Sequence, residues 1–425
     1  MIFKVKPAAF LQGTVQLPGS KSYSIRAFLI ALCGGRSLII NPSDCDDAKA
    51  ALAVAKALGA KVRRVKNNTW AVDAVPHQNN PKKINVKESG TVLRFLLPLL
   101  ALRRKAITIV GEGTLNGRPN ASLLDALRQM GAVINGQGKK ESVPIHLLKG
   151  PGLKSGRITI DGSLSSQFIS ALFITCPQLT GDTHLILKGK KLVSLDYLDM
   201  TIAVLKRAKI KIEKLNARQY TIAGQQRFTG LKNFTVPSDY GLAAFLLVAA
   251  SLIKSQVTLT GNLKDDLIQA DGRILFLLKK MGVQFIKTAK FIKIKGPFEF
   301  KGGDFSLKNC PDLLPILTIV ALFAKGKTRF YDIEHVRSKE SDRISDLRNE
   351  LLKIGAKIFE KKNEMTIIPQ KDYKKNCFLD PHHDHRLAMA FSVLGLKLGA
   401  QVKDIECSHK SYPAFVKDFR SIIFG

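Results

Sequence analysis

Pro18-Gly19-Ser20-Lys21-Ser22-Tyr23-Ser24-Ile25-Arg26 joins two kinds of periodicity. Before it, Gly13-Thr14-Val15-Gln16-Leu17 alternates apolar and polar residues, as a strand does. After it, Ala27 to Leu32 is continuously apolar and reads as a helix. Glycine lets the main chain approach a ligand closely. Ser20, Ser22 and Ser24 set hydroxyls beside the cations Lys21 and Arg26. The N-terminus of the following helix favours an anion. The spacing is not the Gly-x-x-x-x-Gly-Lys-Ser/Thr of a P-loop. A capped helix start with solvated cations explains the stretch equally well by itself; what separates the two readings is recurrence.

An apolar helix, a short Gly- or Lys-rich turn and a β-rich strand follow one another six times. The helices fall at 28–32, 97–102, 169–174, 243–252, 316–323 and 387–396, and their strands begin near 37, 106, 183, 256, 327 and 401. A second helix interleaves and ends in a small residue, as Leu124–Met130 does before Gly131-Ala132-Val133-Ile134; glycine there is the usual left-handed cap. A period of about 70–77 residues predicts stacked α/β units rather than one doubly wound sheet. Six units imply two lobes of three. The sixth is cut short by the C-terminus, so the N-terminal strand is expected to complete it. The expected lobes are 1–19 with 238–425, and 20–237, with chain crossovers near Ser20 and Ser238.

The 425 residues, 45% of them hydrophobic, suffice for two or three domains with cores of their own. The net charge of +33 raises nucleic acid as a partner. The charge is spread along the chain, aromatic residues are only 7%, and no nucleic-acid-binding motif occurs. Steering of anionic small molecules and a lysine-rich solvated surface account for it instead. Six scattered cysteines without a Cys-x-x-Cys fit a reducing compartment and neither zinc nor a disulfide framework. The N-terminus lacks a signal-peptide apolar region, and no apolar run is long enough to span a bilayer. The expectation is a cytoplasmic monomer with no membrane or nucleic-acid partner.

Polar segments precede most of the apolar helices. They are Glu88-Ser89-Gly90, Gly117-Arg118-Pro119-Asn120, Ser163-Leu164-Ser165-Ser166-Gln167, Pro311-Asp312, Ser338-Lys339-Glu340-Ser341-Asp342-Arg343, His382-His383-Asp384-His385-Arg386, and Lys410 near the end. Each alone is accounted for by capping or solvated charge. Together they aim helix N-termini and the cations Lys21, Arg26, Arg118, Lys339, Arg343, Arg386 and Lys410 at multiply anionic ligands. Asp312 and Glu340 remain for proton transfer. The three histidines near 382–385 suggest a metal site, but no second ligand cluster follows and Arg386 would oppose a cation. No metal and no cofactor are expected.

Pro-Gly-Ser-Lys-Ser at 18–22 with Arg26, Ser-Ser-Gln at 165–167, Lys-Glu-Ser-Asp-Arg at 339–343 and Asp-His-Arg at 384–386 occur in family order, and the chain resembles the 5-enolpyruvylshikimate-3-phosphate synthases from about Gly13 to Pro413. The resemblance implies a two-lobed inside-out α/β barrel of six βαβαββ repeats, with the active site in the cleft. It implies transfer of the enolpyruvyl group of phosphoenolpyruvate to the 5-hydroxyl of shikimate 3-phosphate. Phosphoenolpyruvate would contact Lys21, Gly90, Arg118, Gln167, Arg343, Arg386 and Lys410. Shikimate 3-phosphate would contact Lys21, Ser22, Arg26, Ser165, Ser166, Gln167, Ser194, Tyr197, Asp312, His335 and Lys339. Catalysis would rest on Asp312, Glu340, Lys21, His385 and Lys410, and glyphosate would inhibit. Three features depart from the family: Glu88 replaces asparagine, His335 stands at a variable position, and Ser238-Asp239-Tyr240-Gly241 replaces Asp-Ala-Ser-Ser. A related transferase acting on UDP-N-acetylglucosamine usually has a cysteine before its Arg-Pro, and Gly111 to Pro119 contains none.

Overall fold

A computed structural model describes residues 1–75 and 79–424. The chain forms two compact units, Gly19–Val236 and Met1–Pro18 with Pro237–Gly425. In the Gly19–Val236 unit three four-stranded sheets repeat one design. Gly156–Asp161 pairs parallel with Thr183–Lys188, which pairs antiparallel with Gln219–Ile222, and Glu213–Asn216 lies beyond. Lys83–Asn85, Ile107–Val110, Ser142–Leu147 and Ile134–Gln137 follow the same order, as do Phe234–Thr235, Arg36–Ile40, Thr69–Asp73 and Lys61–Lys66. Parallel neighbours need a crossover, and the helices Gly90–Ala101 and Ser166–Thr175 supply it in two of these sheets.

The third sheet carries the passage between units. Phe10–Gln16 leads into the helix Lys21–Ala31, yet it pairs parallel with Ser255–Thr260 in the other unit. Phe234–Thr235 leads into the helix Tyr240–Leu252 but pairs with Arg36–Ile40. Each unit therefore contains one strand whose own helix belongs to the other. Gly19 sits at the first passage, where a Cβ would collide with the carbonyl of Asn41.

The other unit varies the same theme. Phe300–Ser306, Ala324–Tyr331, Glu364–Ile368 and Lys357–Lys361 form one sheet, and Phe285–Lys287, Phe291–Ile294, Ser255–Thr260, Phe10–Gln16 and Ile423–Phe424 a second. In the third, Cys377–Leu379 runs parallel to Ala400–Lys403 around the helix His385–Leu398. Ile2–Val5, from the start of the chain, supplies its antiparallel strand.

Every residue of Tyr240–Leu252 and Leu314–Leu322 is buried. A helix apolar all round has no face for water and must lie inside. These two pack with His385–Leu398 in one core, and Lys21–Ala31, Gly90–Ala101 and Ser166–Thr175 lie deep in the other unit. Outer helices such as Ala121–Gln129 keep a solvated face. Among the described residues no helix is long and apolar enough to cross a membrane.

Candidate active site

In the Gly19–Val236 unit the site residues cluster on the first turns of the inner helices. Lys21 opens its helix and pairs with Asp47 at 3.1 Å. Arg26, one turn on, is buried. Its Nε donates to Thr201 Oγ1, and its two terminal nitrogens donate to the carbonyls of Ser22 and Tyr197. The guanidinium also lies over the rings of Phe95 and Tyr197, and burial lowers its pKa to about 10. Arg26 thus fastens the Lys21 helix to the segment that carries Ser194 and Tyr197. Ser194 adopts a left-handed conformation (φ 58°), and its carbonyl accepts from Tyr197 N.

Ser165 caps its helix by accepting from Gln167 N, and Ser166 is buried beside it. The Gln167 amide is held at both ends: Oε1 accepts from Arg94 at 2.6 Å, and Nε2 donates to Thr91 Oγ1 at 2.9 Å. Arg94 reaches further, to Asn120 Oδ1 and the carbonyl of Pro119. Asn120 in turn donates to the carbonyl of Arg118. Gly90 begins its helix under the Ser89 cap, and a Cβ there would lie 3.1 Å from Arg118 Cζ. Gly90, Arg118 and Gln167 are therefore one assembly, tied together by Arg94. Glu88 turns toward the neighbouring loop, where Thr114 donates to its carboxylate at 2.9 Å.

In the other unit four acids and four cations interlock. Arg343 is buried; it donates to Asp384 from Nε at 2.7 Å, to Asp312 at 2.7 Å and to Glu340 at 2.8 Å. Asp312 also faces Arg386 at 2.8 Å and Lys339 at 3.7 Å. Arg386 lies 3.7 Å from Asp271, and Lys410 Nζ is 4.0 Å from Glu340. Burial alone would raise the Asp312 carboxyl, but Arg386, Lys339 and Arg343 outweigh it and hold the group well below the usual carboxylate range. For Arg343 burial disfavours the cation, and Asp384, Asp312 and Glu340 more than offset it.

Local structure explains the placement. Asp384 caps the helix His385–Leu398, its carboxylate accepting from Arg386 N. This sets His385 and Arg386 in the first turn, both buried. Asp312 lies in a tight turn ahead of Leu314–Leu322 and makes no capping bond there; its carboxylate serves the guanidinium groups instead. His335 is buried near Lys339, Asp312 and Asp332, and burial followed by Lys339 lowers its pKa to about 3. Lys410 ends a short turn and is buried.

The three histidines diverge. His382 faces Glu350, His383 Nδ1 donates to Asp404 Oδ2, and His385 lies beside Asp384. Among the described residues no group of three His, Cys, Asp or Glu side chains is placed to hold a metal ion. No disulfide joins the six cysteines, and burial pushes the thiol pKa values of Cys33, Cys45 and Cys176 up to about 12. Sequence reasoning passed over Asp47, Thr201 and Asp271, which contact Lys21, Arg26 and Arg386 from distant parts of the chain. Asp384 lies inside a quoted motif and Arg94 one helical turn beyond Gly90, but their partners had no local signal.

The fold is that of the enolpyruvyl transferases, two lobes of inside-out α/β architecture. EPSP synthase from Acinetobacter baumannii superposes with a TM-score of 0.79 at 24% identity, covering 99% of this chain and 98% of that one. The enolpyruvyl transferase NikO from Streptomyces tendae superposes with 0.79 at 17% identity, covering 99% and 97%. Within that class, residues 5–419 match the family of EPSP synthase (3-phosphoshikimate 1-carboxyvinyltransferase), and the chain belongs to it. The 3-phosphoshikimate 1-carboxyvinyltransferase of Tolumonas auensis is 34% identical over 424 residues, covering 98% of both chains. That of Methanococcus aeolicus is 35% identical over 424 residues, covering 97% of this chain and 96% of its own.

Proposed function

We propose that the chain is a 3-phosphoshikimate 1-carboxyvinyltransferase of the shikimate pathway, leading to chorismate and the aromatic amino acids. It moves the enolpyruvyl group of phosphoenolpyruvate to the 5-hydroxyl of shikimate 3-phosphate and releases phosphate. Beside family membership, the observation that carries this reading is a pair of carboxylates, Asp312 and Glu340, sharing the buried guanidinium of Arg343.

The chemistry needs two proton movements. The enol carbon of phosphoenolpyruvate becomes electrophilic when its methylene is protonated, and the attacking hydroxyl must lose its proton. Glu340 gives a proton to the methylene, and the hydroxyl oxygen bonds to the adjacent carbon as Asp312 takes its proton. Glu340 then removes a proton from the new methyl as the carbon–phosphate oxygen bond breaks, so the double bond re-forms and phosphate leaves. Lys21, His385 and Lys410 stabilise charge on the tetrahedral adduct. Asp312 is ionised as a base must be, but its three cations make it a weak one. Arg343 and Arg386 relieve this when they turn to the anionic groups of phosphoenolpyruvate, because the carboxylate then loses part of its stabilisation.

Arg118, Gln167, Gly90, Arg343, Arg386, Lys21 and Lys410 bind phosphoenolpyruvate. Lys21, Ser22, Arg26, Ser165, Ser166, Gln167, Ser194, Tyr197, Asp312, His335 and Lys339 bind shikimate 3-phosphate. The reaction uses no metal and no cofactor. The enzyme is a cytoplasmic monomer, and glyphosate competes with phosphoenolpyruvate. Phosphate release is measured with shikimate 3-phosphate and with UDP-N-acetylglucosamine as acceptors, beside a salt-dependent DNA-binding assay. Turnover with shikimate 3-phosphate alone is expected. Turnover with the nucleotide sugar only, or DNA binding without turnover, overturns the reading, and abolition by a chelator overturns the metal-free chemistry.

A further inference from the structure

The geometry points to Glu350 as a positioning residue for the Asp384–Arg386 segment, a role that rests on the function proposed above. Glu350 lies on the helix Ser345–Leu352 and is buried, outside the cluster of Asp312, Glu340 and Arg343. Its Oε2 accepts from the main-chain N of Asp380 at 2.7 Å, and its Oε1 faces His382 Nε2 at 3.3 Å. Asp380 continues the arrangement: its Oδ1 accepts from His382 N at 2.8 Å, and its Oδ2 accepts from Lys403 at 2.7 Å. Lys353, half-exposed, neutralises Glu350 from the solvent side.

What the carboxylate holds is a turn that L-residues resist. His382 and His383 are consecutive and both left-handed, with φ of 51° and 60°. Side chains clash with the main chain in that region, so such a pair persists only where its surroundings determine it. Glu350 fixes the entry to the turn at Asp380 and His382. The exit is Asp384, whose N donates to the carbonyl of Pro381 at 2.8 Å. Asp384 then does two things for the site: it holds Arg343 through Nε at 2.7 Å, and it caps the helix that presents His385 and Arg386. Glu350 touches no reacting atom. It acts through the turn on two of the cations that receive phosphoenolpyruvate.

Loosening the turn is therefore expected to act on one substrate. Misplacement of about 1 Å costs up to about a hundredfold in rate. In Glu350→Ala, kcat/KM for phosphoenolpyruvate is expected to fall about 10- to 100-fold. KM for shikimate 3-phosphate, eight of whose eleven proposed contacts lie in the other unit, is expected to change less than about twofold, since an interaction left intact leaves its share of binding unchanged. Glu350→Gln keeps an oxygen for Asp380 N and is expected to recover part of the loss. Lys353→Met keeps both turn-facing contacts and is expected to stay near wild type. Hydrogen exchange at the amides of residues 380–386 is followed in parallel in the same proteins, and is expected to quicken in Glu350→Ala but not in Lys353→Met. This readout needs no substrate: if the wild type fails to turn over, the function is wrong, while the exchange still tests the turn. Unchanged exchange at 380–386, or equal changes in KM for both substrates with only a lowered Tm, overturns the role of Glu350.

Discussion

Asp312 Oδ1 accepts from Arg343 at 2.7 Å, and the same guanidinium donates to Glu340 at 2.8 Å, so the two acids assigned to proton transfer share one cation. Removing the charge of either acid leaves Arg343 held by the other and by Asp384. The fold should therefore survive such a substitution while the chemistry does not. Asp312→Asn and Glu340→Gln are each expected to lower kcat by about 10²- to 10⁴-fold, the usual share of a positioned acid or base. Both KM values should move only a few-fold. Steady-state phosphate release, checked against Tm, measures this; near-normal kcat in either variant removes that residue from its role.

Arg94 is expected to matter as much as the residues that meet substrate. Three contacts of its buried guanidinium, to Gln167, Asn120 and Pro119, orient the Gln167 amide and support the loop carrying Arg118. Arg94→Lys cannot span them, because an ammonium lacks the planar fork. Leaving buried acceptors without donors costs about 1–3 kcal/mol each. We expect a clear fall in Tm, a raised KM for phosphoenolpyruvate, and a smaller change for shikimate 3-phosphate. A Tm within a degree of wild type would show that these contacts are dispensable.

The fold was legible because its signals are local. Tyr240–Leu252 and Leu314–Leu322 are apolar all round, and glycines mark the ends of the outer helices, as Gly131 does at φ 93°. The site was legible as residue types ahead of those helices. Its interior wiring was not. Arg26 stands in its motif as a ligand cation, and spacing gives no sign that its three nitrogens also meet Thr201, Ser22 and Tyr197, two of those residues more than 170 positions away. Arg343 likewise stands in its motif as a cation for an anionic ligand, with no sign of the three carboxylates that enclose it. Asp312 suggested a cap, and the turn it occupies makes none. Such facts depend on which elements the topology brings together, and spacing along one element does not encode them.

Gly90 gives a prediction about selectivity. A methyl there would stand 3.1 Å from the Arg118 guanidinium, closer than an ordinary contact, so the guanidinium must yield by a few tenths of an ångström. A small displacement weakens any anion at Arg118, and the methyl itself adds a clash that a longer ligand feels more. Glu88 is turned toward Thr114 and bears on both ligands alike. Gly90→Ala is therefore expected to raise the inhibition constant of glyphosate by a larger factor than KM for phosphoenolpyruvate. Inhibition kinetics at several phosphoenolpyruvate concentrations measure both; equal factors would detach Gly90 from discrimination between them.

His335 should leave a mark on stability against pH. It is buried beside Lys339, Asp312 and Asp332, and its folded pKa is lowered to about 3. An unfolded histidine takes up its proton near pH 6.5. Below that pH the unfolded chain binds a proton that the folded chain refuses until about pH 3, so stability falls as pH falls. The slope from one such group is about 1.4 kcal/mol per pH unit. Asp312 adds acid sensitivity of the same sign, but its contribution is lost only below the ordinary aspartate range, near pH 4, because its folded pKa is depressed. Between pH 6.5 and 5 the His335 contribution therefore stands clear of that of Asp312. His335→Asn, which carries no titrating group, is expected to lose about 2 kcal/mol less than wild type across that interval in urea unfolding. Parallel stability curves for the two proteins would mean that His335 is protonated as readily in the folded chain as in the unfolded one, and its burial as a neutral ring would have to be given up.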